Sequence, residues 1–226
     1  MSLGETKDHN VLESIKGLIE QSFEKTGVLI NLLRQEIKQP YILGDINWEK
    51  LIDQSKEIDF LVQGWDGWIK TYDRKLETFF SNEGVFNLFL IDHMSKEKSA
   101  ETIRNLMATR LSKSDNDVIS EINNTIQELQ EILDRNNRNP ATGKGQLTIV
   151  PIKEVNWYFG ARFVSSNSYE TDYLVLSLYS HKKFSLKETP AILLNKQSAP
   201  KAFEWFDSEL KYLKSLNNNS LSNEEA

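Results

Sequence analysis

Two short clusters carry side chains able to hold a small ligand. Trp65-Asp66-Gly67-Trp68 sets a carboxylate between two indoles, and Asp92-His93 joins a carboxylate to an imidazole. Each cluster closes an apolar run, Ile58 to Trp65 and Gly84 to Asp92, and both runs read as buried strands. In open α/β sheets, ligands bind outside the carboxyl ends of the strands. If these strands pair, Asp66, Asp92 and His93 flank one crevice, with Trp65 or Trp68 as a stacking wall for a nucleotide or base. The simpler reading puts the indoles in the core and uses both Asp residues to cap the following helices. Two carboxylates and one His without a His-x3-His pattern make a thin metal site, so neither metal nor cofactor is expected.

Other residues invite chemistry and are weighed the same way. Arg162 sits among aromatics in Asn156 to Val164, a mixture that suits single-stranded nucleic acid. The same composition suits a half-buried strand with Trp157 and Phe163 inward, which is the preferred reading. Asp172 is expected to pair with Arg162 across a hairpin. His181-Lys182-Lys183 followed by Glu188 reads by itself as a solvated basic hairpin tip. Gly143-Lys144-Gly145 lacks the phosphate-loop spacing and the hydroxyl after Lys. No Gly-x-Ser-x-Gly elbow occurs, which argues against a serine hydrolase.

Composition narrows the classes further. The 226 residues suit one domain with one sizeable core, and five Trp and eleven Phe supply large areas to bury. A formal charge of −6 argues against broad, sequence-independent nucleic-acid binding. With no cysteine there is no disulfide, thiolate metal site or thiol nucleophile. The polar Met1 to Asn10 lacks the apolar run of a signal peptide, and no stretch approaches the ~20 apolar residues of a membrane span. The expectation is a cytoplasmic protein without membrane contact.

The elements that must position these residues follow from periodicity. Val11 to Lys38 has a helical apolar pattern, ending before Pro40. At ~1.5 Å per residue it spans about 40 Å, so it either lies across its own domain or is shared with a second subunit or protein partner. A short helix from Trp48 to Gln54 is capped by Asn47. After the first strand come a helix from Ile69 to Phe80, the second strand, and helices from Ala100 to Leu111 and Asn116 to Asp134. Apolar strands separated by amphipathic helices predict a parallel sheet with helices on its faces. The polar Asn136 to Gly145 is a loop. Beyond it strands are predicted over Gln146 to Ile152, Asn156 to Val164, Tyr173 to Ser180 and Ala191 to Asn195, then a helix from Pro200 to Leu216. This divides the chain into an N-terminal helical segment (1–57), an α/β domain (58–216) and a disordered polar tail (217–226).

Two stretches carry a family resemblance. Ile58 to Leu111 runs strand, helix, a Gly-led strand ending in Asp92, then an Arg-bearing helix. Arg162 to Leu213 runs polar turn, Asp172 before a strand, a further strand begun at Pro190, and a closing aromatic helix. Together, over roughly residues 58–213, they resemble a degenerate member of the phospholipase-D-like superfamily. The resemblance implies a mixed sheet flanked by helices. Active members carry His-x-Lys-x4-Asp twice, or once per subunit of a dimer. Here one string, His181-x-Lys183-x4-Glu188, is the near match. One imidazole would attack phosphorus, the other would protonate the leaving oxygen, and Lys would neutralise developing charge.

Three functions follow as expectations. The first is a non-catalytic binding or regulatory module, which the resemblance ties to bacterial antiphage-defence or signalling proteins, with a homodimer if the long helix is shared. The second is a dimeric, metal-independent phosphodiesterase or nuclease, with His181 as nucleophile and acid, Lys183 as phosphate clamp and Glu188 as orienter. The third is a nucleotide sensor at the strand-end crevice.

Overall fold

Near-continuous apolar runs in the central strands give this chain a sheet buried on both faces. A computed structural model describes residues 41–62, 66–95, 98–111, 113–153, 158–165, 172–178 and 189–221. The predicted helix over 11–38, Trp65 and the 181–188 segment lie outside the described residues. Six principal strands are β2 (Ser55–Leu61), β3 (Val85–Ile91), β4 (Gln146–Ile152), β5 (Tyr158–Ser165), β6 (Tyr173–Leu178) and β7 (Pro190–Asn195). The two-residue β1 (Tyr41–Ile42) is added at the β7 edge, giving the order β1-β7-β6-β5-β2-β3-β4. β2, β3 and β4 are parallel, and β5, β6 and β7 continue antiparallel. The expected α/β class and mixed sheet are therefore present.

One face carries Phe60, Phe86, Phe159 and Phe163. Against them pack Trp48 of α1 (Trp48–Asp53), Trp68 of α2 (Asp66–Thr71) and Phe79 and Phe80 of α3 (Asp73–Ser81). Edge-on aromatic pairs such as Trp48–Trp68, with centroids 5.6 Å apart, add to the burial energy. Trp48, Leu51 and Ile52 thus share one core with the strands. Asn47 caps α1, its Oδ1 accepting from the Lys50 N–H at 3.0 Å.

Two further helices, α4 (Lys98–Leu111) and α5 (Asp115–Asn137), pack on each other, and α5 also leans on α2, α3 and β4. Ser114 starts α5 with a reciprocal capping box. Its Oγ accepts from the Asp117 N–H at 3.1 Å, and Asp117 accepts from the Ser114 N–H at 3.0 Å.

The opposite face carries Asp59, Asn87, Phe89 and Arg162, beneath α6 (Pro200–Leu221). Tyr158 packs on Trp205, and Gly160 brings β5 close enough that an added Cβ would land on the Phe206 ring. The aromatic run of the last helix predicts this packing, because Phe203, Phe206, Leu210 and Leu213 fall on one helical stripe and are all buried.

Several boundaries differ from the periodicity; α5, for one, runs to Asn137, into the segment predicted as a loop from Asn136. The helix predicted from Ile69 to Phe80 is two helices, broken at Tyr72, whose ψ of 19° leaves the helical range while its ring packs on Trp68. β2 begins at Ser55, three residues before the apolar run, because a ladder partner on β5 extends it through a register shift. α6 continues to Leu221, past the predicted end at Leu216, since its last turns contain neither Pro nor Gly to stop it. Among the described residues no helix is long and apolar enough to cross a membrane.

Candidate functional site

The charged centre of the molecule lies where three strands meet α6. Asp59 of β2 is directly opposite Asn87 of β3 on one side and Arg162 of β5 on the other. All three therefore project onto the same face of the sheet. Asp59 has no solvent exposure. Such a carboxylate requires partners, because an isolated buried charge costs several kcal/mol, on the order of its lost hydration. It has them: Asn87 Nδ2 donates to Oδ1 at 2.9 Å, and Arg162 Nε and Nη2 both reach Oδ2 at 2.7 Å.

Arg162 is shared among three carboxylates. Nη1 donates to Asp207 Oδ1 at 2.5 Å, and Nη2 lies 3.5 Å from Glu57 Oε1. Lys211, one turn along α6, reaches the other Asp207 oxygen at 2.5 Å. Burial alone would lower the pKa of the Arg162 guanidinium, but Asp59, Glu57 and Asp207 outweigh it and raise the pKa above its ordinary range. Burial likewise pushes the Asp207 carboxyl up, and the Lys211 hydrogen bond and Arg162 charge together bring it below the usual carboxylate value.

Beside this network lies a cavity of about 200 Å³, lined by Arg162, Asp172, Lys196, Phe203, Glu204 and Asp207 among others. It opens near the N-terminal end of β2, where β5 ends and α6 begins. The expected Asp172–Arg162 pair is not formed. Asp172 Oδ2 instead accepts from Lys196 Nζ at 3.1 Å, and its Oδ1 accepts from the Ser165 N–H at 2.9 Å. The reason is positional: Asp172 precedes β6 beside the end of β5, and β7 returns Lys196 to that end. Arg162, two rungs inside, meets Leu174 there.

Of the other sequence candidates, Asp66, Trp68, Asp92 and His93 fall within the described residues, and they lie toward the opposite end of the sheet. Trp68 is buried against Trp48, Phe60 and Tyr72 and serves as core. Asp66 is the first residue of α2. Asp92 caps a turn and not the following helix: its Oδ1 accepts from the N–H groups of Met94 and Ser95 at 3.2 and 3.0 Å. Arg104 of α4 ties that turn down, Nη1 donating to the carbonyls of Asp92 and Ser95 at 3.2 and 3.0 Å. His93 is half-buried, and Met94 beside it is 76% exposed. Arg162 is therefore not part of a crevice with Asp92 and His93; it belongs to the cavity at the far end.

Sequence reasoning missed Asp59, Asn87, Glu57 and Asp207. One signal was present: Asp59 and Asn87 are polar residues inside two otherwise apolar strands, the pattern of a paired buried charge. Asp207 had no such signal, since an acid on a helix surface is ordinary. Among the described residues no group of three or more side chains converges as a metal site. No family model, curated protein or solved structure matches the chain.

Proposed function

We propose that the chain is a non-catalytic binding or regulatory module on a phospholipase-D-like fold. The observation carrying this reading is the closure of the central charge network. Arg162, the cation at the middle of the sheet, is held by Asp59, Asp207 and Glu57 of its own chain. A cation recruited to a transferring phosphoryl group needs donors aimed at the developing charge, and these donors are committed to internal carboxylates. Asp92, the acidic residue closing β3, is likewise used to shape a turn. Such a domain acts by what it holds in place of what it converts, in keeping with a regulatory partner beside an effector.

The full chain assayed in a chelator against bis(p-nitrophenyl) phosphate and single-stranded DNA, beside His181→Ala, tests this reading. Neither protein is expected to exceed the buffer rate. Wild-type turnover that disappears in His181→Ala overturns the reading in favour of a phosphodiesterase built on His181, Lys183 and Glu188.

A further inference from the structure

The cavity beside Arg162 has the chemistry of a receptor for a cationic group on an apolar stem. Its charged walls are unequal. Counting the groups that line it and those paired to them, Glu57, Asp59, Asp172, Glu204 and Asp207 face Arg162, Lys196 and Lys211, so carboxylates exceed cations by two. The cations are already engaged: Arg162 by three carboxylates and Lys196 by Asp172. An anion entering here would have to displace a carboxylate already in contact and then sit within the surplus negative field.

A cation meets the reverse situation. Glu204 lines the cavity from the exposed side of α6, and among the described residues it forms no ion pair. Its carboxylate can accept a charge-assisted hydrogen bond without breaking one. Phe203, Val164 and Pro200 supply apolar wall, and an aromatic residue beside carboxylates is a favourable lining for an alkylammonium or guanidinium. The volume limits the guest. At the ~30 Å³ that a water occupies in the liquid, about 200 Å³ holds on the order of seven waters, the size of one short diamine or one basic side chain.

We infer that this cavity binds a primary amine or guanidinium carried on a short aliphatic stem, with Glu204 as the principal counter-ion and Phe203 as the apolar wall. The inference concerns a site that the phosphodiester question does not touch, so turnover by His181 would leave it standing.

Titration calorimetry of the full chain with agmatine and with cadaverine tests it, with inorganic phosphate as the anion control. Saturable binding of either amine, weakened at least tenfold in Glu204→Gln, is expected, with no binding of phosphate at the same site. Glu204 is exposed, so the substitution leaves the core intact. Absence of saturable binding by both amines overturns the inference. So does equal affinity in Glu204→Gln, or phosphate binding that Glu204→Gln strengthens. As a second readout, amide resonances of Lys196 and Phe203 should shift on titration; shifts confined to the far end of the sheet, near His93, overturn the assignment to this cavity.

Discussion

Arg162 and Asp59 are cross-strand neighbours 103 residues apart in sequence, and two guanidinium nitrogens of one converge on a single carboxylate oxygen of the other at 2.7 Å. Asp59 is completely buried, and the Arg162 side chain keeps 16% exposure toward the cavity. The pair fixes how β2 and β5 meet and, through Asp207, how α6 lies on them.

Removing one partner should therefore be far worse than removing both. Asp59→Ala leaves a buried guanidinium short of its main counter-ion and is expected to cost about 3–5 kcal/mol. Asp59→Leu combined with Arg162→Met should recover most of that loss, because neither charge then remains to be desolvated. Urea denaturation of the single and double variants checks this; a double variant as unstable as Asp59→Ala would refute it.

Acid should loosen α6 through Asp207. Its carboxyl titrates lower in the folded chain than in the unfolded one, so the unfolded state binds the proton first as pH falls. The stabilisation is present above the ordinary carboxylate range, near ~4, and is lost as pH drops through the lower folded value. Denaturation midpoints measured from pH 6 down to about 2.5 should fall more shallowly for Asp207→Asn than for wild type. Identical slopes would show that the Arg162 and Lys211 contacts do not hold in solution.

The start of α5 depends on Ser114. Its hydroxyl satisfies an N–H that the helix cannot, and Asp117 returns the bond to the Ser114 N–H. Ser114→Ala is expected to lower stability by ~1 kcal/mol, with Ser114→Asp largely retaining the cap. Thermal or urea unfolding of the two variants reads this directly.

The close approach of β5 to α6 is set by Gly160. An Ala methyl at this position meets the ring of Phe206, which is itself fully buried. Gly160→Ala should destabilise by about 1–3 kcal/mol through overpacking. Pairing it with Phe206→Leu should relieve part of the cost, a coupling that a double-mutant cycle measures.

The turn after β3 is held from two sides, by Asp92 within it and by Arg104 beneath it. Arg104→Met should leave β3 intact while raising amide exchange at Met94 and Ser95 by roughly tenfold or more, as expected when a locally closed unit loses its tie. Unchanged exchange would mean that Asp92 alone maintains the turn.

Local order was legible in the sequence because it rests on short-range physics. A near-continuous apolar run places β3, an alternating one β4, period-3.6 stripes place α5 and the start of α6, and Asn47 marks a helix start. Trp68 as core was likewise readable from its place beside a strand of large apolar residues. The break at Tyr72 was not, since a helical stripe runs through it and no Pro, Gly or side-chain cap marks the interruption.

The charge network and its cavity belong to tertiary structure alone. Which residue faces Asp59 depends on the register between β2 and β5, and strands so far apart in sequence carry no local record of it. The registers of β2 with β3 and of β6 with β5 and β7 likewise separate Arg162 from Asp92 and His93 and give Asp172 to Lys196. The sequence by itself determined that this chain forms parallel βαβ units followed by a strand-rich half closed by an aromatic helix. Only the folded arrangement decided that its buried Arg is neutralised from within, because pairing a charge in a dry interior takes partners from several distant elements at once.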